Sequence, residues 1–209
     1  MEQEKNLQLV KHGLRFLEST HAYSSDRENT RFMVHLPNES REETRAFLLA
    51  AEEEWKKESP SFYEFAILLG EEHIGAVSLY LNEERDTGEL GWILDKRYWG
   101  HGYACQAAER VMSFGRDTLK ITHFVAHCDS ENAASRRVME KLGMKRTCVN
   151  ENRKNRSSPE NRRTERAFLF WSGFFMKVLK TGKILTVPAT SICGPGCGIA
   201  RPRRHARAG

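Results

Sequence analysis

The chain has 209 residues, 39% of them hydrophobic, enough for one sizeable core and a single enzyme-sized domain with or without a tail. Its formal charge of +5 resides at the C-terminal end: beyond Phe170 stand Lys177, Lys180, Lys183, Arg201, Arg203, Arg204 and Arg207 with no acid, which leaves about −2 for residues 1–170. That distribution argues against a domain that binds nucleic acid. The cysteines Cys105, Cys128, Cys148, Cys193 and Cys197 follow neither disulfide nor zinc spacing, so a reducing cytoplasm and no metal are expected.

A short apolar stretch, Leu7 to Val10, precedes a weak helical stripe through Leu14, Leu17 and His21 that ends near Ser25. Ser40 and Glu43 have capping-box spacing and open a helix with Phe47, Ala51 and Trp55 on one face, stopped by Pro60. Three strand-like runs follow, Phe62 to Leu69, His73 to Leu81 and Glu89 to Asp95, joined by short polar connectors that suit an antiparallel meander. Next come a helix burying Ala104, Ala107, Ala108, Val111 and Met112 and a strand at Thr122 to Cys128, an order that implies a right-handed crossover to a parallel neighbour.

A second short helix runs from about Asn132 to Leu142, turns Ala134, Val138 and Met139 inward and stops at Gly143. Strands near Met144 to Asn150 and Thr164 to Trp171 flank a polar linker, Glu151 to Arg163, expected to be a mobile loop. The apolar run Ala167 to Leu179 contains a lysine and falls short of the roughly 20 residues that span a bilayer, and the polar start MEQEKN is unlike a signal peptide, so no membrane partner is expected. Residues 1–180 are assigned to the domain and 181–209 to a disordered or atypical basic tail.

The stretch Arg97 to Ala107, RYWGHGYACQA, places Gly100 and Gly102 where a helix begins. Such a pair can serve a tight turn, or it can let phosphate oxygens approach free N–H groups at the positive end of the helix. A dinucleotide on a Rossmann unit is one candidate ligand, with Asp129 for the ribose, but Cys105 stands at the third glycine position and the unit lies behind a meander. The pyrophosphate of coenzyme A is the other.

Here RYWGHGYA resembles the R/Q-x-x-G-x-G/A loop of the GNAT acyltransferase superfamily, and NAASRRVMEKLGM at Asn132 to Met144 resembles the helix that follows it in the RimJ/RimL-like N-acetyltransferase branch. The resemblance spans roughly Arg31 to Phe170. It implies an α+β GNAT fold, a central twisted, mostly antiparallel sheet splayed between strands 4 and 5 and flanked by helices. It also implies acetyl-CoA as cofactor and an amine acceptor, either a small molecule or a peptide N-terminus, and it is compatible with a homodimer.

By the same resemblance, backbone from Trp99 through Gly100, His101, Gly102 and Tyr103 to Ala104 holds the pyrophosphate and Arg97 adds charge. Backbone of Trp92, Ile93 and Leu94 pairs with the pantetheine arm, Asn132 contacts the pantetheine or the substrate, and Ser135 is the candidate acid for the departing thiolate. Asn132 and Ser135 read equally well as a helix cap and a first-turn residue. Direct attack by an amine needs a base. Glu89 is the first candidate, against a solvated glutamate at a hairpin exit, and His127 heads the histidines His73, His101, His123 and His127 that could replace it. Acidic pairs and runs at Glu52 to Glu54, Glu71 and Glu72, and Glu83 and Glu84 read first as solvated faces, and would favour a cationic substrate if some lined the entry to the site. Two readings from other classes stay open: an acyl-CoA-binding module without catalysis, and a nicotinamide-dependent oxidoreductase.

Overall fold

The computed structural model describes residues 6–33, 38–154 and 165–174. Its strands are β1 (Leu7–Lys11), β2 (Phe62–Leu69), β3 (Glu72–Leu81), β4 (Thr87–Leu94), β5 (His123–Asp129), β6 (Lys145–Lys154) and β7 (Glu165–Phe174). Its helices are α1 (Leu17–Ser25), α2 (Arg41–Lys56), α3 (Tyr103–Asp117) and α4 (Ala133–Lys141). The strands form one sheet in the order β1-β2-β3-β4-β5-β7-β6, antiparallel throughout except for the parallel pair β4 and β5. This is the mixed, mostly antiparallel architecture that the pattern of short polar connectors followed by strand, helix, strand predicts.

Local chemistry accounts for the helix boundaries. Ser40 Oγ accepts from Glu43 N at 3.1 Å, which caps the start of α2, and Glu43 Oε2 reaches back to accept from Glu39 N at 3.1 Å, one residue before the cap. Pairing this helix with the sheet buries Thr44, Leu48, Ala51 and Glu54, leaving the expected Phe47 and Trp55 half-buried at the margins of that face. The core gathers Ile67, Ile74, Val77 and Leu79 from the meander, Val111 and Met112 from α3, and Phe124 from β5.

Four expectations need correction. The buried residues of α1 are Thr20 and Tyr23, not the stripe Leu14, Leu17 and His21, because a 3-10 turn at Leu14–Phe16 rotates the helix relative to a continuous α-helical count. On α4 only Met139 is buried; Ala134 is exposed and Val138 is half-buried, because that face borders a cleft instead of the core. The polar linker begins later than expected, since β6 continues to Lys154, paired with Glu165 of β7. Strand β7 continues past Trp171 to Phe174 and inserts between β5 and β6. The rest of that linker and the tail lie outside the described residues.

Under α1 sits a pair of buried histidines. His12 Nε2 lies 3.0 Å from Thr20 Oγ1, His73 Nδ1 lies 2.6 Å from Ser19 Oγ, and the two rings are 5.2 Å apart beside Phe16. Burial above all lowers both from the ordinary 6.5, to about 3 for His12 and about 4 for His73. An unfolded chain therefore takes up these protons near pH 6.5 while the folded chain refuses them down to about pH 4. Stability falls as pH drops through that window. We expect the melting temperature to decline between pH 7 and pH 5 and the slope to flatten in His73→Gln; an unchanged slope in that variant would clear His73 of the effect.

Candidate active site

The parallel ladder between β4 and β5 runs from Thr87↔His123 to Leu90↔Ala126 and stops there. Beyond that point β4 continues to Leu94 paired only with β3, while β5 continues paired with β7. The two strands part, and the edge of β4 from Gly91 to Leu94 faces the gap with ladder groups that no strand uses. A cleft of about 390 Å³ opens along this edge, walled by β4, the loop after it, α4 and the segment that follows α1.

At the end of β4 the chain makes a 3-10 turn, Lys96–Tyr98, and reaches the two glycines. Gly100 and Gly102 have φ of 82° and 81°, left-handed values that make glycine the fitting residue at both. A Cβ at either would meet no protein atom within 4 Å; the loop is therefore not crowded from behind, and both glycines line the cleft. Gly102 is the N-cap of α3 and offers no side chain to its first-turn donors. Those N–H groups, with the positive end of a 15-residue helix behind them, form a ready anion cradle.

At the point where the strands part stands a carboxylate. Glu89 is only 6% exposed and its Oε1 lies 2.9 Å from His127 Nδ1. The register explains the meeting: Glu89 is opposite Val125, and His127 is the next residue along β5 on the same face. Both line the cleft. A solvated glutamate at a hairpin exit is thereby set aside, since Glu89 lies two residues inside β4 and is buried. Across the cleft, Trp92 Nε1 donates to Ser135 Oγ at 3.3 Å, and Asn132 Oδ1 accepts from Ser135 N at 3.0 Å as the cap of α4.

Residues 7–145 match the family profile described as an acetyltransferase (GNAT) domain. The chain belongs to the GNAT acetyltransferase family. An uncharacterized N-acetyltransferase of Bacillus subtilis, YnaD, is 29% identical over 133 residues, 62% of this chain and 73% of the relative. Among solved structures, a RimL ribosomal L7/L12 alpha-N-protein acetyltransferase in complex with coenzyme A shares the fold at TM-score 0.69 and 17% identity, covering 80% of this chain and 93% of the other. Spermidine N-acetyltransferase from Vibrio cholerae, in complex with CoA and spermine, does so at TM-score 0.68 and 16% identity, over 80% and 95%. Acetyl-CoA is the cofactor of this family, and an anion cradle at one end of an unpaired strand edge fits it.

Within this GNAT fold most of the expected site residues converge on one cleft: Glu89, Trp92, Ile93, Leu94, Trp99, Gly100, Gly102, Tyr103, Ala104, Asn132 and Ser135 all line it. Arg97 and His101 do not. The Arg97 guanidinium lies against Asp95, with Nη2 2.8 Å from Oδ2, and His101 is exposed and stacks on Tyr103. Of the other candidate bases, His73 is buried under α1 and His123 lies beside Thr122 Oγ1, neither of them in the cleft lining. Cys105 is half-buried and borders the cleft, its Sγ 3.7 Å from Glu109 Oε1.

The acidic runs go elsewhere too. Glu52 accepts from Leu14 N, Glu53 and Glu54 pair with Lys56 and Lys57, Glu84 accepts from Asn82, and none of these or Glu71, Glu72 and Glu83 lines the cleft. The dinucleotide reading loses its partner as well: Asp129 is fully buried and accepts from Glu131 N, and the sheet has one parallel pair where a Rossmann unit needs a parallel sheet. Sequence reasoning passed over Glu28, Asn29, Phe32 and Met33, which form the remaining wall. The available signal was Asp26, whose Oδ1 accepts from Glu28 N at 2.8 Å and Asn29 N at 3.0 Å in the turn that starts this segment.

Proposed function

We propose that the protein is an acetyl-CoA-dependent N-acetyltransferase of the RimJ/RimL-like type, acting in the cytoplasm with residues 1–180 as its catalytic unit, and that it acetylates a primary amine. The observation that carries this reading is the end of the β4–β5 ladder at Leu90↔Ala126, with the Glu89–His127 pair at that point and the glycine cradle further along the same strand. The relatives named for spermidine and for a ribosomal protein N-terminus support an amine as the acceptor class.

Acetyl-CoA supplies the thioester that activates the acetyl group. The protein's own share begins at the cradle, where backbone N–H groups from Gly100 to Ala104 would bind the pyrophosphate, the Trp99 N–H being already donated to Lys96 O in the 3-10 turn. The open edge at Trp92 to Leu94 would then take the pantetheine amides as it would take a strand, through groups other than Leu94 O, which already accepts from Asn29 Nδ2 and Trp99 Nε1. Backbone N–H of β4 polarises the acetyl carbonyl.

An acceptor ammonium must lose a proton before it attacks, and Glu89 takes that proton directly or through a water while His127 holds the carboxylate in place. Ser135 Oγ accepts from Trp92 Nε1, an arrangement that leaves the hydroxyl proton available to the departing thiolate. Asn132 caps α4 and so fixes where Ser135 stands, the cap using Oδ1 only.

Two measurements test the reading together. Acetyl-CoA is expected to raise the melting temperature and to change the fluorescence of Trp92 and Trp99, with no response to NAD, and a thiol reagent is expected to report free coenzyme A when an amine is added. Binding without thiol release on any amine would instead identify an acyl-CoA-binding module.

A further inference from the structure

We propose, on the acetyl-CoA reading above, that Arg137 and Lys141 of α4 hold the phosphate groups of the coenzyme, the part that the resemblance gives to Arg97. Coenzyme A carries a pyrophosphate and a 3′-phosphate, and backbone N–H groups at a helix start offer them partial charge only. Full positive charge comes from side chains that reach the cleft. Among the described residues that line it, the lysines and arginines are Arg137 and Lys141.

The cations nearest the glycine loop in sequence are already engaged. Lys96 Nζ lies 2.8 Å from Asp26 Oδ2 and 2.9 Å from Glu28 Oε2. Arg97 Nη2 lies 2.8 Å from Asp95 Oδ2, and Asp95 Oδ1 also accepts from Arg97 N at 2.9 Å, so this carboxylate caps the 3-10 turn and keeps the guanidinium beside it. Neither side chain is part of the cleft lining. The end of β4 thus delivers the two glycines without a cation, because the turn before them pairs its own with local acids.

Helix α4 brings the charge from across the cleft. Ala134, Arg137, Val138 and Lys141 recur at spacings of three and four, and all four line the cleft, so they form one stripe facing it. Arg136, off that stripe, lies instead against Glu140, with Nε 3.9 Å from Oε1. Ser135 marks the end of the helix beside Trp92, and Lys141 the end beside the start of α3. The second placement follows from Cys105 in the first turn of α3: burial above all, with Glu109, raises its thiol above the ordinary value, and the Lys141 ammonium opposes that rise as a nearby cation does. Ser135 and Lys141 are separated by about 9 Å of helical rise, with Arg137 between them. A small, uncharged start followed by two cations matches the coenzyme, whose arm is neutral from the thiol to the pyrophosphate.

The test measures binding of acetyl-CoA and of 3′-dephospho-acetyl-CoA, by tryptophan fluorescence and melting shift, to wild type, Arg137→Gln, Lys141→Gln, the double variant and Arg97→Gln. Glutamine keeps the side-chain stem and the helix propensity and removes the charge. We expect each α4 variant to bind acetyl-CoA ~10-fold more weakly, the double variant more weakly still, and Arg97→Gln within ~2-fold of wild type, since a hydrogen bond to a charged group is worth about that first factor or more. Weakening with both forms assigns the pair to the pyrophosphate; weakening confined to the complete coenzyme assigns it to the 3′-phosphate. Arg136→Gln, on the same helix outside the cleft, is the control for general charge. A lysine in the last turn also suits the helix dipole, but that role alone lowers the melting temperature of the free protein and leaves affinity as it was. Unchanged affinity in the double variant, a larger loss in Arg97→Gln, or an equal loss in Arg136→Gln overturns the assignment while coenzyme binding stands. Absence of any acetyl-CoA response in wild type overturns the coenzyme reading and this assignment with it.

Discussion

Glu89→Gln is expected to lower kcat by ~10²–10⁴-fold, the range that a positioned general base supplies. Glutamine keeps the shape and can still hydrogen-bond to His127, but it cannot take the proton of an acceptor ammonium. Acetyl-CoA affinity, read by tryptophan fluorescence, should stay close to wild type, because the coenzyme contacts proposed above use backbone of β4 and the glycine loop and not the Glu89 side chain. Loss of turnover with affinity intact places Glu89 in the chemical step. Full turnover in Glu89→Gln would remove Glu89 from it and transfer the role to His127, the other ionisable member of the pair in the cleft. A melting curve guards the comparison, since Glu89 is buried and its replacement must not unfold the protein.

Gly102→Glu is expected to abolish the melting shift produced by acetyl-CoA and to weaken its binding at least ~100-fold. Two effects combine. The backbone at φ 81° disfavours any side chain, at roughly 1–2 kcal/mol, and the new carboxylate stands in the cradle where the pyrophosphate would lie. Gly70 supplies the control. It has φ 65°, meets nothing within 4 Å of an added Cβ, and lies in the β2–β3 turn outside the cleft. Gly70→Glu therefore carries a similar backbone penalty without touching the cradle, and it should lower the melting temperature while keeping the acetyl-CoA response. Equal coenzyme affinity in Gly102→Glu and wild type would show that the two glycines serve only the turn.

How legible the site was depended on how far apart its parts lie in the chain. The glycine loop is local: two glycines, the helix start and the preceding strand lie close together in the chain, so sequence alone placed it at the opening of α3. The Asn132–Ser135 spacing is local too, and the structure uses it as a helix cap with Oδ1 on Ser135 N. Glu89 and His127 were each visible as candidates, but their contact was not. It depends on the register of two parallel strands joined by α3, and no short-range pattern encodes a register across a crossover. Where the acidic runs would lie was not legible for the same reason: a cluster in sequence says nothing of which face it will occupy, and Glu52 to Glu54 meet a backbone donor and neighbouring lysines away from the cleft.

The segment from Glu28 to Met33 shows the limit most plainly. Without periodicity it reads as an unassigned connector, yet Asn29 fastens it to Leu94 and Lys96 and makes it a wall of the cleft. By itself the sequence determined the strand alternation, the capped start of α2 and the glycine pair opening α3, because each depends on backbone dihedrals and partners within a few residues. Only the tertiary structure decided that the β4–β5 ladder stops at Leu90↔Ala126, that β7 lies between β5 and β6, and that Glu89 meets His127. Those outcomes come from the packing of distant segments against one core, where the strands must diverge to accommodate the helices and loops between them.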